Sequence, residues 1–161
     1  MTIRNVEIRD AEAITAIYNY YIENTIITFE EEAITVEEMA SRIKSISLQY
    51  PYLVYEENGK VVGYAYATQW KARSAYRFSA EDTIYLDHRE TGKGFGCELF
   101  SAFLNEFRKT NLHSLVGGIA LPNAASVALH EKFGFKKIGQ FEEIGFKFGK
   151  WVDVGYWELK L

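Results

Sequence analysis

The stretch Glu81–Gly96, Glu-Asp-Thr-Ile-Tyr-Leu-Asp-His-Arg-Glu-Thr-Gly-Lys-Gly-Phe-Gly, constrains the fold of this chain more than any other. It runs from a β-branched and aromatic segment through a glycine-rich turn into a periodic apolar pattern, which predicts strand, loop and helix in succession. Gly92, Gly94 and Gly96 let the backbone approach a ligand with no Cβ in the way. The first N–H groups of the following helix lack intrahelical acceptors and carry the positive end of its dipole, so a phosphate or pyrophosphate suits this corner. Spacing excludes two common phosphate loops. A nucleoside-triphosphate loop requires Gly, four residues and Gly-Lys-Ser/Thr, and a dinucleotide loop requires G-x-G-x-x-G with an acid about 20 residues further on. Neither fits here.

The remaining residues are predicted to build one domain, residues 1–161, around that corner. With 48% hydrophobic residues and no break in composition, the chain can bury one sizeable core. A net charge of −4 argues against nucleic acid, whose binding needs a basic surface, and points to a small-molecule substrate. Cys97 stands alone, so no internal disulfide can form. With neither a signal peptide nor an apolar run of about 18 residues, the expectation is a cytoplasmic protein that binds no membrane.

Thr2–Ile8 alternates and predicts a strand; Asp10 then caps a helix with Ile14, Ile17, Tyr18, Tyr21 and Ile22 on one face. Residues 24–30 lack a helical period and read as a loop or short irregular strand. The capping box Thr35-x-x-Glu38, with Ile34 and Met39 as a hydrophobic staple, opens a second helix. Asn58-Gly59 joins Tyr52–Glu57 and Lys60–Gln69 as a two-residue hairpin. Residues 70–78 mix cations with aromatics, which suits either a loop that holds an anion or a surface loop of stacked side chains. After the glycine loop, Leu99, Phe100, Phe103, Leu104 and Phe107 mark a helix, and Leu115–Leu121 a buried strand. Asn123 caps a helix over Ala124–Phe133 that Gly134 closes, and two long strands meet at a turn near Gly149. The predicted order is β-α-α-β-β-β-α-β-α-β-β, a mixed sheet with helices on both faces.

These motifs together carry a resemblance. Arg89-x-x-Gly92-x-Gly94 after a central strand, the order of elements, and Asn123 followed by Leu129-His130-Glu131-Lys132-Phe133-Gly134-Phe135 are similar to the GNAT N-acetyltransferases, with their mostly antiparallel central sheet. Trp70-Lys71-Ala72-Arg73-x-Ala75-Tyr76, Ala80-Glu81-x-Thr83-Ile84-Tyr85-Leu86, Leu121-Pro122-Asn123 and Gly145-Phe146-Lys147-x-Gly149-x-Trp151-x-Asp153-Val154-Gly155 narrow it to the phosphinothricin and methionine-sulfoximine N-acetyltransferases. The resemblance implies acetyl-CoA as co-substrate, with no metal. Ile84, Tyr85 and Leu86 would face its pantetheine arm and thioester, and Arg89, Gly92, Lys93, Gly94, Phe95 and Gly96 its pyrophosphate, with Asn123 a further contact.

Acetyl transfer to an amine requires a neutral amine, a polarised thioester carbonyl and a proton for the thiolate. Resemblance assigns Glu81 the ammonium proton and His130 the proton for the thiolate, where many relatives carry a tyrosine. An arbitrary glutamate at a strand end is more often a solvated acid, and a lone helical histidine more often a satisfied structural residue. Phe29, Glu30, Lys71, Arg73, Tyr76 and Thr83 would line the acceptor, with the Arg73 fork suited to a carboxylate or phosphinate. The implied acceptor is the α-amino group of a small amino acid such as phosphinothricin, methionine sulfoximine or methionine sulfone. The implied assembly is a homodimer, with the Trp151–Trp157 tail in its interface. A protein or peptide acetyltransferase and a non-catalytic acyl-CoA sensor are the alternatives.

Overall fold

The computed structural model describes Met1–Leu161. Eleven regular elements follow one another in the predicted order, and the strands form a seven-stranded sheet, β1-β2-β3-β4-β5-β7-β6. The chain groups into two compact units, Met1–Tyr20 with Ile34–Thr68 and Thr83–Asn111, and Tyr21–Ala33 with Gln69–Asp82 and Leu112–Leu161.

In the first unit β1 (Thr2–Asn5), β2 (Tyr52–Glu57) and β3 (Lys60–Gln69) pair antiparallel. Asn58 and Gly59, with φ of 51° and 76°, make the two-residue turn that their side chains tolerate and most others resist. Helix α1 (Ala11–Asn24) does not start on an Asp10 cap. Asp10 instead sits in a 3-10 turn over Ile8–Asp10, where its buried carboxylate accepts from the Glu7 N–H at 2.8 Å and from both Arg4 Nη atoms at 2.8 Å. That turn ends the first strand at Asn5, short of the expected Ile8. Helix α2 (Val36–Ser47) opens as its capping motif dictates, with Thr35 accepting from the Glu38 N–H at 3.1 Å. The Glu38 carboxylate takes Arg42 at 3.1 Å, one turn on. Helix α3 (Phe95–Phe107) buries Leu99, Phe100, Phe103, Leu104 and Phe107 completely and packs on β2. Burying five such side chains contributes on the order of 1.5–3 kcal/mol each.

In the second unit the first half of β4 (Ser79–Leu86) runs parallel to β5 (Ser114–Leu121), with Ser79 opposite Ser114 and Glu81 opposite Val116. β7 (Lys150–Lys160) pairs antiparallel with all of β5, and β6 (Lys136–Lys147) antiparallel with β7. The β6–β7 turn is Phe148-Gly149, again with two positive φ angles. Helix α4 (Ala124–Lys132) starts at Asn123, whose side chain accepts from the Ser126 N–H at 3.2 Å. It stops where the Gly134 N–H reaches the Glu131 carbonyl and the Phe135 N–H the His130 carbonyl, a Schellman closure with left-handed Gly134. That closure fixes the rotation of the helix and the face on which His130 lies.

Candidate active site

The end of β4 and the loop after it are held firmly. Tyr85 lies between Tyr18 and Tyr64, with ring centroids 5.3 and 5.6 Å away, and Leu86 fills the space that a side chain on Gly63 would occupy. The Asp87 N–H bonds the Val62 carbonyl at 2.8 Å, and the chain then makes a 3-10 turn over His88–Glu90. Gly92 and Gly94 adopt φ of 77° and 89°, and no heavy atom lies within 4 Å of where a Cβ would stand on either. Gly94 is the N-cap of α3, whose first intrahelical bond runs from the Cys97 N–H to the Gly94 carbonyl at 3.0 Å. The N–H groups of Gly94, Phe95 and Gly96 precede it. Open space, left-handed glycines and helix-end donors together fit a pyrophosphate.

Both cations expected in that loop are matched by acids. Arg89 donates from Nε and Nη2 to Asp87 at 3.0 and 2.7 Å, and Lys93 bonds Glu90 at 2.6 Å. The Arg89 guanidinium holds the Asp87 carboxyl down at about 2. With both cations paired, the donors the corner leaves over are its backbone N–H groups.

The acid–base candidates sit around two consecutive glycines of β5. Glu81 and Asp82 are neighbours on β4, so their side chains leave opposite faces of the strand. A Cβ on Gly118 would stand 2.9 Å from Glu81 Oε1 and 3.1 Å from the Tyr156 ring; one on Gly117 would stand 2.7 Å from His130 Nε2 and 3.4 Å from Asp82 Oδ2. Each glycine makes room for one acid and its companion. Burial, then the Asp82 charge, push the Glu81 carboxyl above its ordinary value, while Lys71 pulls it back. Glu81 is half-buried; Asp82 and His130 are buried, the histidine being only 2% exposed.

His130 has both ring nitrogens engaged. Nδ1 lies 2.7 Å from the Ser126 carbonyl oxygen and Nε2 2.8 Å from Asp82 Oδ1. A carbonyl only accepts, so Nδ1 carries a proton. The Phe135 ring closes edge-on at 4.9 Å. Burial lowers the proton affinity of His130 while Asp82 and the Ser126 carbonyl raise it, for a net rise; burial raises that of Asp82 more than His130 lowers it. Both ring nitrogens are thus spent on protein partners, and the residue expected to give the thiolate its proton is buried.

The expected acceptor residues lie on two loops. Trp70 meets Tyr156 edge-on at 5.8 Å, Lys71 Nζ sits 5.0 Å from the Trp70 ring, and Arg73 and Tyr76 are exposed in the turn that follows. The loop carrying Phe29 and Glu30 is pinned to β6 at two points. The Phe29 ring occupies the notch left by Gly145, and the fully buried Lys147 donates to the Thr28 carbonyl at 2.8 Å. Thr83 is half-buried on β4. Gly145 and Lys147 belong to a quoted motif, yet the loop they hold is far away in sequence, with Lys147 and Thr28 separated by 119 positions. No group of three or more His, Cys, Asp or Glu side chains is arranged to hold a metal.

The profile of the acetyltransferase (GNAT) domain matches residues 3–155. The chain belongs to the GNAT acetyltransferase family. It is 39% identical to a phosphinothricin N-acetyltransferase of Streptomyces viridochromogenes, over 96% of this chain and 87% of that one. It is 36% identical to an L-methionine sulfoximine/L-methionine sulfone acetyltransferase of Salmonella typhimurium, over 100% and 95%. A GNAT phosphinothricin acetyltransferase from Sinorhizobium meliloti, solved in complex with acetyl-CoA, superposes with a TM-score of 0.95 at 36% identity, covering 99% of this chain and 88% of that chain. Asp82, Gly117, Gly118 and Tyr156 had escaped the sequence reading, although paired glycines inside an apolar strand are a signal of close approach.

Proposed function

We propose that this GNAT chain transfers the acetyl group of acetyl-CoA to the α-amino group of a small amino-acid-like acceptor of the phosphinothricin, methionine sulfoximine or methionine sulfone type. The observation that carries the reading is Glu81, a half-buried carboxylate with raised proton affinity, three residues ahead of Ile84 on the strand that leads into the glycine loop. Acetyl-CoA supplies an activated acetyl thioester. Glycines 92, 94 and 96 and the α3 N-terminus, with Arg89, Lys93 and Phe95 at the rim, hold its pyrophosphate. The backbone of Ile84, Tyr85 and Leu86 receives the pantetheine arm. Asn123 spends its side-chain oxygen on the helix cap and keeps its NH₂ as a donor for the cofactor.

Arg73 and Lys71 hold the acceptor's anionic groups, with Tyr76, Phe29, Glu30 and Thr83 around it. Glu81 takes the ammonium proton and so frees the attacking lone pair, and a carboxylate whose affinity is raised toward neutrality is better suited to that task than a solvated one. A thiol pKa near 8.5 makes the thiolate a competent leaving group that water can protonate. Chain 1–161 acts as a single acetyltransferase domain in the cytoplasm and pairs as a homodimer through the β6–β7 hairpin, where Phe141, Phe146, Phe148 and Trp151 are each more than half exposed.

A thiol-release assay with acetyl-CoA tests the reading against phosphinothricin, methionine sulfoximine, methionine sulfone, ordinary amino acids and short peptides. Turnover with the first three at least tenfold above peptides is expected. Turnover with peptides alone would replace it with a peptide acetyltransferase, and binding without turnover would leave an acyl-CoA sensor.

A further inference from the structure

Asp82 has no assigned role, yet it is the most thoroughly enclosed carboxylate beside the candidate base. One oxygen faces His130 Nε2 at 2.8 Å, and the other is buried with no hydrogen-bond partner. A buried carboxylate left half satisfied costs stability, so its presence here calls for a reason in function. Its surroundings define what it does. Nδ1 of His130 must donate to the Ser126 carbonyl, and a contact of 2.8 Å between Nε2 and Oδ1 also needs a proton between them. The pair accordingly holds two protons. Releasing either one would set lone pair against lone pair in an interior that screens poorly.

Glu81 is the next residue. On its own face it meets Tyr156 from β7 and the charge of Lys71 from the loop after β3, and through the strand it feels Asp82 with His130 of α4 behind. Gly117 and Gly118 let these two groups stand on either side of one strand with nothing between them but the backbone. We propose that Asp82 is a positioning residue for the acetyl transfer: it fixes the His130 ring and turns the negative end of the Asp82–His130 pair toward Glu81, and His130 affects the reaction only through Asp82. This rests on Glu81 being the proton acceptor in the function proposed above.

The test is the pH profile of kcat/KM in the thiol-release assay for wild type, Asp82→Asn, His130→Gln and the double variant. The amide introduced by Asp82→Asn donates to His130 Nε2 and leaves the Ser126 bond intact, so the ring stays in place while the ion-pair dipole is lost. Removing that dipole, whose negative end is the nearer one, should move the acidic limb down by about half to one pH unit, with KM for acetyl-CoA unchanged. His130→Gln should alter the wild-type profile but change the Asp82→Asn profile less than about twofold, as expected of a residue that acts through its partner. An unmoved limb in Asp82→Asn overturns the proposal. So does an equal loss of kcat on His130→Gln in both backgrounds, which would make His130 a direct participant. Absence of turnover by wild type with every acceptor would instead overturn the reaction reading, and this role with it. Should the variants not fold, ¹⁵N NMR of the wild-type His130 ring decides: both nitrogen signals are expected to hold constant from about pH 6 to 8, and an imidazole titrating near its ordinary value of about 6.5 overturns the pair.

Discussion

Gly92 and Gly94 of the loop and Gly117 and Gly118 of β5 are glycine for opposite reasons. The first two bend left-handed into open space, with nothing near a Cβ. The second two are strand residues on which a Cβ would run into a catalytic candidate or its neighbour. One pair is required by backbone conformation and the other by what must pass close to it. Substitutions should therefore separate cofactor affinity from acid–base chemistry.

The largest effect is expected at Glu81, the group that Gly118 makes room for. Glu81→Gln should lower kcat/KM about 100- to 10,000-fold near neutral pH, the usual contribution of a general base. Steady-state kinetics should show part of the loss regained at higher pH, where free amine is available, and calorimetry should find acetyl-CoA affinity unchanged. A parallel fall in that affinity would mean that the two glycine regions are not separable.

Gly117→Ala comes next. The added methyl stands 2.7–2.8 Å from two atoms of a ring held by two hydrogen bonds and cannot be relieved by a simple rotation. Overpacking of this kind costs about 1–3 kcal/mol, or a fall in Tm of roughly 2–12 °C for a chain of this size, readable by thermal denaturation.

Gly94→Ala meets no atom, so its cost is the left-handed φ, about 1–2 kcal/mol. Calorimetry should show acetyl-CoA bound several-fold more weakly while KM for the acceptor stays within about twofold. Smallest is Arg89→Gln. Its guanidinium is exposed and already occupied by Asp87, so acetyl-CoA affinity should fall less than in Gly94→Ala. The pair leaves an acid signature as well: the folded Asp87 carboxyl lies below its ordinary 3.8, so the pair's contribution to stability is present above that value and is lost as pH falls through about 2. Acid denaturation of Arg89→Gln should lack that component.

The same contrast explains what could be read from the sequence. Turns and caps are local, so Asn58-Gly59, Thr35, Asn123, Gly134 and the glycine loop announced themselves, and with them the whole order of elements. The expectations for Glu81 and the loop residues came from spaced motifs, which are equally local. Contacts set by register were not legible. The Asp82–His130 bond joins residues 48 apart, and it exists because Glu81 pairs with Val116 in β5 and because Gly134 sets the rotation of α4. The Phe29 ring on Gly145 likewise requires β6 in place. Asp10 looked like a helix cap, but the Arg4 guanidinium drew it into the 3-10 turn before the helix.

We propose that Glu81, rather than Asp82 or His130, exchanges the proton of the reaction. The most direct measurement is a ¹³C NMR titration of the Glu81 side-chain carboxyl in the wild-type protein, set beside the acidic limb of kcat/KM. The account predicts a single step above the ordinary value of 4.5, raised by burial and by Asp82, that coincides with the limb. A Glu81 carboxyl that titrates at or below 4.5, or a limb that follows another group, would contradict it.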